Sequence, residues 1–385
     1  MRIFVIANGY PTDREPQFGC FEKDQALELT NLGHDVTLLY VDGRFRKYRR
    51  KLGITHKVEN KINIYGIYWL PIVFIKIFSY KLAHRFRSFL LDLLFRHVLK
   101  RQDKPDVIYA HYCYNIANAA DMSKKYGIPL VGIEHWSMIN QDILPANVKY
   151  LGNLAYANAD SLIAVSNALA KSISIKFGYE ATVINDMVGR EFISEDIAEP
   201  SNQRFRFIAI GSLIPRKGFD KLIEAFKETG LYKKNCELVI IGSGPESDNL
   251  KMLINTNKLN NFVSLAGRRS KQEIIGYLKD SNAFVLSSDI ETFGVVCIEA
   301  MALGVPVIAT SCGGPEEFIN DGNGILVNSN DVKELADAMI RMHDHRNDFD
   351  RKSIANECKI KFAPDVIAGQ LVQVFEQTIS NCSGK

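Results

Sequence analysis

The chain has 385 residues, 46% of them hydrophobic, and a formal net charge of +3, which indicates a soluble globular protein of two domains. Its seven cysteines form no CxxC pair, which argues against a disulfide framework or a zinc cluster and for a reducing compartment. The longest apolar run, 64–78, is interrupted by Pro71 and Lys76 and falls short of the roughly 20 residues of a spanning helix, so we expect a cytosolic protein.

Short apolar runs alternate with helix-length segments along the whole chain. The first run, MRIFVIANGY, reads as a strand and not as a signal peptide. The first half predicts strands at 2–7, 35–40, 62–69, 106–110, 129–133, 161–165 and 181–184. The second half predicts strands at 206–211, 237–241, 262–266, 283–287, 305–309 and 325–327. Because near-continuous apolar strands alternating with helices form parallel sheets, each half predicts a doubly wound, Rossmann-like α/β domain.

The predicted boundaries follow from a polar segment in the middle of the chain. Residues 189–204 lack an apolar period and are predicted to link an N-terminal domain, 1–188, to a C-terminal domain, 205–363. The last segment, 364–385, is predicted to form a helix that packs back on the N-terminal domain. Since ligands of such sheets bind outside the carboxyl ends of the strands, we expect the domains to face each other across a ligand-binding cleft.

Basic residues are concentrated in one part of the first domain. Residues 44–104 hold 16 Lys and Arg against 3 Asp and Glu, a local charge of +13. The same segment contains the aromatic residues Tyr65, Tyr68, Trp69, Phe74, Phe78, Phe86, Phe89 and Phe95. Two interpretations stay open: contact with an anionic membrane or partner, or a solvated helix face over a packed one. The segment has no nucleic-acid motif beside it, and nucleic acid is not expected as a partner.

The strands of the second domain end in glycine-rich or charged loops. These loops carry Ser212, Arg216 and Lys217, then Gly242 and Gly244, then Gly267 and Arg268. The loop with Gly242 and Gly244 lacks the third glycine of a dinucleotide-binding fingerprint. The loop with Lys217 lacks the GxxxxGK(S/T) sequence of a P-loop. Arg216 and Lys217 are suited to stabilising the charge of a diphosphate.

The stretch DIETFGVVCIEA places Glu291 and Glu299 eight positions apart around a helix start. Acids near a helix N-terminus can reflect helix electrostatics alone. The N–H groups of Gly294, Val295 and Val296 instead suit a phosphate, which the two carboxylates would repel if they faced it. Each carboxylate can accept from sugar hydroxyls, Glu299 from a ribose and Glu291 from a second sugar. A nucleotide-diphosphate-sugar satisfies all of these groups.

Together with this spacing, GSLIPRKG, GSGPE and GVPVIATSCGGPEEFINDGNGILV resemble the GT4 retaining glycosyltransferases of GT-B fold, most densely over 205–330. Many relatives carry Arg at the position of Ser212, and here Arg216 would substitute for it. The resemblance implies a nucleotide-sugar donor, UDP in preference to GDP, with no metal or bound cofactor. It implies donor contacts by Ser212, Arg216, Lys217, Gly242, Gly244, Gly267, Arg268, Glu291, Phe293, Gly294, Val295, Val296 and Glu299. It implies a catalytic set of His135, Arg216, Lys217 and Glu291.

The first domain is expected to supply acceptor contacts and part of the donor site. Gly19 stands at a helix start, as for donor phosphate contact in such enzymes or as an ordinary turn glycine. His135 ends a strand, and the resemblance places it near the donor sugar. His111 ends another strand and is either functional or structural, and Glu134 either orients His135 or is a surface acid.

The expected activity is transfer of a hexose or N-acetylhexosamine to a hydroxyl of a glycan or lipid-linked acceptor, in polysaccharide or glycan assembly. We expect the protein to act in the cytoplasm and to contact the inner face of the membrane peripherally through residues 44–104. Two alternatives stay open, a nucleotide-sugar epimerase of the same fold and a non-catalytic carbohydrate-binding relative.

Overall fold

Two α/β units make up this chain in the computed structural model, which describes residues 1–16, 18–44, 51–69, 75–76 and 79–384. Unit 1 comprises Met1–Asn185 together with Pro364–Lys385, and unit 2 comprises Asp186–Ala363. The predicted class of two doubly wound, Rossmann-like domains is confirmed by the two sheets. Within the residues described, no helix combines the length and apolarity needed to cross a membrane.

The sheet of unit 1 has the strand order β3-β4-β2-β1-β5-β6-β7-β8. Its strands are β1 (Arg2–Ala7), β2 (Asp35–Asp42), β3 (Gly53–Glu59), β4 (Ile62–Tyr68), β5 (Val107–His111), β6 (Leu130–Glu134), β7 (Ser161–Ala164) and β8 (Thr182–Val183). All neighbours are parallel except β3, which pairs antiparallel with β4. Every residue of β5 and β6 is buried, as expected for strands covered on both faces.

Helices cover this sheet and supply much of its core. They are α1 (Cys20–Asn31), α2 (Tyr80–Leu99), α3 (Cys113–Tyr126), α4 (Ala146–Tyr156), α5 (Asn167–Phe177) and the last helix of the chain, α12 (Pro364–Ser383). Phe375 of α12 is fully buried, with its ring centroid 4.9 Å from that of Tyr109 on β5. The last helix is therefore part of the core of unit 1.

Unit 2 contains a fully parallel sheet with the order β11-β10-β9-β12-β13-β14. Its strands are β9 (Phe205–Ile210), β10 (Cys236–Ile241), β11 (Val263–Gly267), β12 (Ala283–Leu286), β13 (Val307–Ser311) and β14 (Gly324–Asn328). Its helices are α6 (Phe219–Thr229), α7 (Ser247–Thr256), α8 (Lys271–Lys279), α9 (Val295–Ala302), α10 (Val332–Asp344) and α11 (Arg351–Phe362). The strand order reverses between β9 and β12, and such a switch point is where ligands of open α/β sheets bind.

The structure differs from the sequence predictions in two segments. The segment 189–204 falls inside unit 2, where it forms a short 3₁₀ turn, Arg190–Phe192, with Phe192 only 1% exposed. Strand β3 was not predicted, because its residues are mostly exposed and polar.

The basic segment 44–104 is divided among a hairpin, a helix and connecting residues. In its described part, Tyr65 and Phe95 are buried, and the Phe95 ring packs 5.2 Å from both Phe4 and Tyr126. Trp69 and Phe89 remain exposed. The predictions that involve Pro71, Phe74, Phe78 and 45–50 lie outside the described residues. The aromatic residues therefore belong partly to the core and partly to the surface.

Candidate donor and acceptor sites

Three loops of unit 2 are joined by hydrogen bonds at the carboxyl ends of β9, β12 and β13. The backbone N–H of Asp289 donates to the carbonyl of Arg216 at 2.8 Å, and Ser287 Oγ donates to the carbonyl of Lys217 at 2.9 Å. The N–H of Glu291 donates to the carbonyl of Cys312 at 2.9 Å. These bonds fix the backbone that carries the predicted cations and the predicted carboxylate.

Lys217 and Glu291 form an ion pair between two of these loops. Their side chains are only 15% and 11% exposed, so the pair is largely shielded from water. Ser288 Oγ also donates to Glu291 Oε1, at 2.7 Å. Lys217 and Glu291, which the sequence predicts to bind different parts of a ligand, are thus in direct contact.

Helix α9 begins directly beside this pair. Gly294 caps the helix with φ at 96°, a conformation that favours glycine over residues with a Cβ. The first N–H groups of a helix have no partner within the helix and attract anions. Val295 and Val296 form the first turn of the helix and are partly exposed. The geometry suits an anionic ligand.

Phe293 is a core residue and not a surface contact. Its side chain is 1% exposed and packs against Phe318 and Phe362 with ring centroids 5.1 and 5.5 Å away. This packing anchors the residue before Gly294. The ring therefore supports the loop, and the predicted donor contact of Phe293 stays a prediction.

Glu299 lies on α9 and is partly exposed. The thiol of Cys297 on the same helix has its pKa raised well above the usual value, first by burial and then by neighbouring negative groups that include Glu291 and Glu299. Lys217 opposes this effect and lowers the pKa of the thiol. Glu299 follows Gly294 and the first turn of the helix, on the same helix as Cys297.

The two glycines after β10 permit close backbone packing. A Cβ on Gly242 would lie 1.8 Å from the carbonyl oxygen of Gly211, and one on Gly244 would lie 2.3 Å from that of Leu213. The lack of a Cβ at both positions therefore allows the loop after β10 to approach the loop after β9 this closely. Ser212 and Arg268 are exposed, whereas Gly267 and Arg216 are partly exposed.

In unit 1, Gly19 caps the start of α1 with φ at 77°. A Cβ there would lie 2.3 Å from the carbonyl oxygen of Gly9, just after β1. Close packing against the preceding loop therefore accounts for a glycine at this position.

Two histidines form a hydrogen-bonded pair at the ends of β5 and β6. His111 Nδ1 lies 3.2 Å from His135 Nε2, and the two rings are nearly parallel, at 4°, with centroids 5.3 Å apart. Because the facing nitrogens are closer than the centroids, the rings meet edge to edge, as an in-plane hydrogen bond requires. His111 is fully buried, and burial, followed by the nearby His135, lowers its pKa well below the usual value.

Glu134 is fully buried and is not the surface acid that one interpretation expected. Its carboxylate accepts hydrogen bonds from the N–H groups of Cys113, His135 and Trp136, at 2.8, 3.0 and 2.9 Å. Tyr156 adds a fourth bond, at 2.8 Å. Burial raises the pKa of Glu134 although these bonds oppose the shift. Glu134 thus fixes the backbone on both sides of the histidine pair.

Several contributors to these sites were missed by the sequence analysis. Ser288 directly follows a predicted strand end and could have been recognised as a hydroxyl donor beside Glu291. Tyr112, the residue after His111, has φ 67° and ψ 143°, a strained conformation for a residue with a side chain. No sequence signal indicates this strain.

Comparison with known proteins identifies the family. Residues 23–188 match the family Glycosyltransferase Family 4, and residues 190–357 match the family Glycosyl transferases group 1. An uncharacterised glycosyltransferase of Methanocaldococcus jannaschii is 29% identical over 62% of this chain and 65% of its own length, just under two thirds. The putative teichuronic acid biosynthesis glycosyltransferase TuaC of Bacillus subtilis is 27% identical over 89% of each chain.

The fold has close counterparts among solved structures. Anabaena HepE in complex with UDP and glucose aligns with a TM-score of 0.73 and 20% identity, over 98% of this chain and 100% of that one. This similarity concerns the fold, which is GT-B as the resemblance implied. Since the two family matches together take in most of the sequence, the chain belongs to glycosyltransferase family 4.

Proposed function

We propose that this glycosyltransferase moves a hexose or N-acetylhexosamine from a nucleotide-diphosphate-sugar to a hydroxyl of a glycan or lipid-linked acceptor. The observation that carries the proposal is the shielded Lys217–Glu291 pair beside the N-terminus of α9, at the switch point of the second sheet. A UDP-sugar is the favoured donor, and the complex of HepE with UDP and glucose supports this choice. The similarity to TuaC supports a role in polysaccharide assembly.

The donor diphosphate is proposed to bind Lys217, Arg216 and the N–H groups of Val295 and Val296. An ammonium has three N–H donors, and the described bonds of Lys217 commit one of them to Glu291. Glu291 thereby holds the ammonium in place and remains an acceptor for a hydroxyl of the donor sugar. Glu299, further along α9, accepts from the ribose.

Transfer is proposed to proceed with retention, by attack on the face that the leaving group departs from. The bond between the anomeric carbon and the diphosphate oxygen breaks, and a bond to the acceptor oxygen forms. The proton of the acceptor hydroxyl passes to the departing diphosphate. Lys217 stabilises the negative charge that develops on the diphosphate. Electrostatic stabilisation of this kind usually makes the largest single contribution to catalysis. No metal is required in this scheme, and activity should persist in EDTA.

His135 is proposed to contact the donor sugar near the reacting carbon. The hydrogen bond between His111 and His135 fixes the orientation of the His135 ring, and Glu134 fixes its backbone. A preorganised contact loses little freedom when substrate binds. His111 and Glu134 are positioning residues in this proposal.

Peripheral membrane contact is proposed for the exposed face of α2. Leu82 and Phe89 are 54% and 55% exposed on this face, and Lys81 and Arg85 are exposed beside them. Exposed apolar side chains among cations suit an anionic membrane surface. Flotation with anionic vesicles at low salt tests this, and an equal recovery of wild type and the double variant Leu82→Ser, Phe89→Ser would contradict it.

The donor assignment is tested by thermal shift with UDP, GDP, ADP and their sugar conjugates, on the wild type and on Glu299→Ala. A ligand at about 100 times its Kd stabilises the folded state by about 2.7 kcal/mol. We expect a selective shift with UDP compounds that Glu299→Ala loses. An absent shift with every nucleotide would contradict the donor site. Product analysis with and without acceptor separates transfer from donor epimerisation.

A further inference from the structure

A guanidinium and a buried amide meet where α2 packs against the start of α3 in unit 1. Arg87 Nη2 donates to Asn115 Oδ1 at 3.2 Å. The guanidinium carbon lies 5.6 Å from the centroid of the Tyr114 ring. Both helices therefore contribute a polar group to one small region.

Arg87 has no carboxylate within ion-pair distance among the residues that the structure describes. Burial lowers the pKa of Arg87, and Tyr114 and Asp42 oppose that shift. Asp42 is bonded by Arg44, whose Nε and Nη2 lie 3.1 and 3.2 Å from its two oxygens. Arg87 is partly exposed, and because its guanidinium remains charged in proteins, a bound anion would stabilise it. This cation is thus suited to binding an anion from outside the chain.

The amide of Asn115 supplies a second, independent indication that a ligand binds beside Arg87. Asn115 is 2% exposed, and its Nδ2 donor has no hydrogen-bond partner in the described part of the chain. Its Oδ1 is held by Arg87, and this bond fixes which side of the amide carries the donor. Such unpaired buried donors are rare in native structures. The backbone N–H of Cys113, at the start of α3, is already bonded to Glu134, so the two side chains carry the site.

We propose that Arg87 and Asn115 bind a phosphoryl group carried by the acceptor. This inference rests on the proposed transferase function, and it names the acceptor as a phosphorylated sugar or a sugar linked through a phosphate ester. Guanidinium and amide N–H groups donate together to the oxygens of a phosphate, and the charge of the phosphate neutralises Arg87. The site belongs to unit 1, whereas the proposed diphosphate-binding residues belong to unit 2.

The first test measures binding of inorganic phosphate by calorimetry at constant ionic strength. We expect Arg87→Gln to weaken phosphate binding about tenfold to a hundredfold, as for loss of a charged hydrogen bond. Arg85→Gln is the matched control, because Arg85 lies on the same helix, is exposed and loses the same charge. Equal affinity in Arg87→Gln and Arg85→Gln would overturn the site.

Asn115→Asp is the sharper variant because it keeps the size and shape of the side chain. A carboxylate there pairs with Arg87 and lies near the start of α3, where acids are favoured. A site for phosphate predicts that this variant melts no lower than the wild type and yet loses phosphate binding. A purely structural Arg87–Asn115 contact predicts unchanged phosphate binding, and that result would overturn the proposal.

The closing experiment separates this inference from the donor assignment. Arg87→Gln should retain the UDP thermal shift, and Lys217→Met should retain phosphate binding at the Arg87 site. Acceptor sugars with and without a phosphate ester are then compared, with a carboxylated sugar as a further arm. Loss of the preference for the phosphorylated acceptor in Arg87→Gln is the expected result. A missing UDP shift with phosphate binding intact contradicts the proposed function alone, and a preference for the carboxylated sugar overturns the phosphoryl assignment.

Discussion

The ammonium of Lys217 donates to the carboxylate of Glu291, 74 positions later in the chain. The pair joins the loops that follow two strands paired at the switch point of the second sheet. Each side chain restrains the other, and both are largely shielded from water. The ion pair therefore organises the proposed donor site before any ligand arrives.

Replacing Lys217 by methionine should lower kcat by about 10²–10³, the usual cost of removing one donor to a developing negative charge. Steady-state kinetics with saturating donor measure this. Lys221→Met is the matched control, because Lys221 pairs with Asp289 at 2.5 Å nearby but has no proposed ligand contact. A similar loss in both variants would refute a specific role for Lys217.

Lys217→Met should also reduce the free energy of unfolding by about 3 kcal/mol, because it leaves the shielded carboxylate of Glu291 without its partner. The double variant Lys217→Met, Glu291→Gln removes that charge and should recover most of the stability without recovering activity. Urea unfolding of the wild type and both variants measures the effect. Equal stability in the single and double variants would show that the pair is effectively exposed.

His111→Leu should lower kcat while the KM for the donor changes little, because it removes the bond that orients His135. His111→Asn offers an amide group, which can donate or accept a hydrogen bond, near the position of Nδ1 and should recover part of the rate. Kinetics of both variants distinguish orientation from packing. If kcat falls equally in His111→Asn and His111→Leu, the hydrogen bond has no role in turnover.

The buried, neutral His111 should make stability fall in acid. Its pKa is lowered in the folded state, so below about pH 6.5, the ordinary value, the unfolded chain takes up a proton that the folded state refuses. Stability is then lost as the pH falls, by at most about 1.4 kcal/mol per pH unit for one proton. Unfolding from pH 7.5 to 5 should show a shallower pH dependence in His111→Asn than in wild type. Parallel curves would contradict a neutral His111.

Phe375→Ala should destabilise unit 1 by about 3–5 kcal/mol, the usual cost of truncating a buried phenylalanine. The ring is fully buried and packs against Tyr109. Unfolding followed by a probe in each unit measures this. Val374→Ala is a control on the same helix, at a partly exposed position. Comparable losses in the two variants would contradict the core position of Phe375.

The regular strands could be predicted because their apolar runs are continuous and their order follows general rules. Strand β3 could not, since its exposed residues gain their conformation by pairing with β4. The connecting Asn60 and Lys61 both have positive φ, 51° and 65°, without the glycine that usually indicates such a turn. The burial of Phe192 could likewise not be predicted, because the residue lies in a polar segment.

The positions of the candidate residues after strand ends could be predicted from the sequence, but their contacts with one another could not. Lys217 and Glu291 follow strands of the second sheet, and His135 follows β6 of the first sheet. Their direct partners depend on which loops touch, and the local sequence does not encode that. No sequence motif indicates Arg87 and Asn115, because their proximity arises from the packing of two helices.

The assignment of α12 to unit 1 has a consequence for synthesis of the protein. The core of unit 1 needs Phe375, but all of Asp186–Ala363 is translated between Asn185 and Pro364. At about 5–20 residues per second this interval lasts on the order of 10–40 s. During that time the surface around Tyr109 is not yet packed against α12. Unit 2 is a continuous segment and can already fold. A nascent chain should therefore offer this surface to chaperones until the last helix emerges.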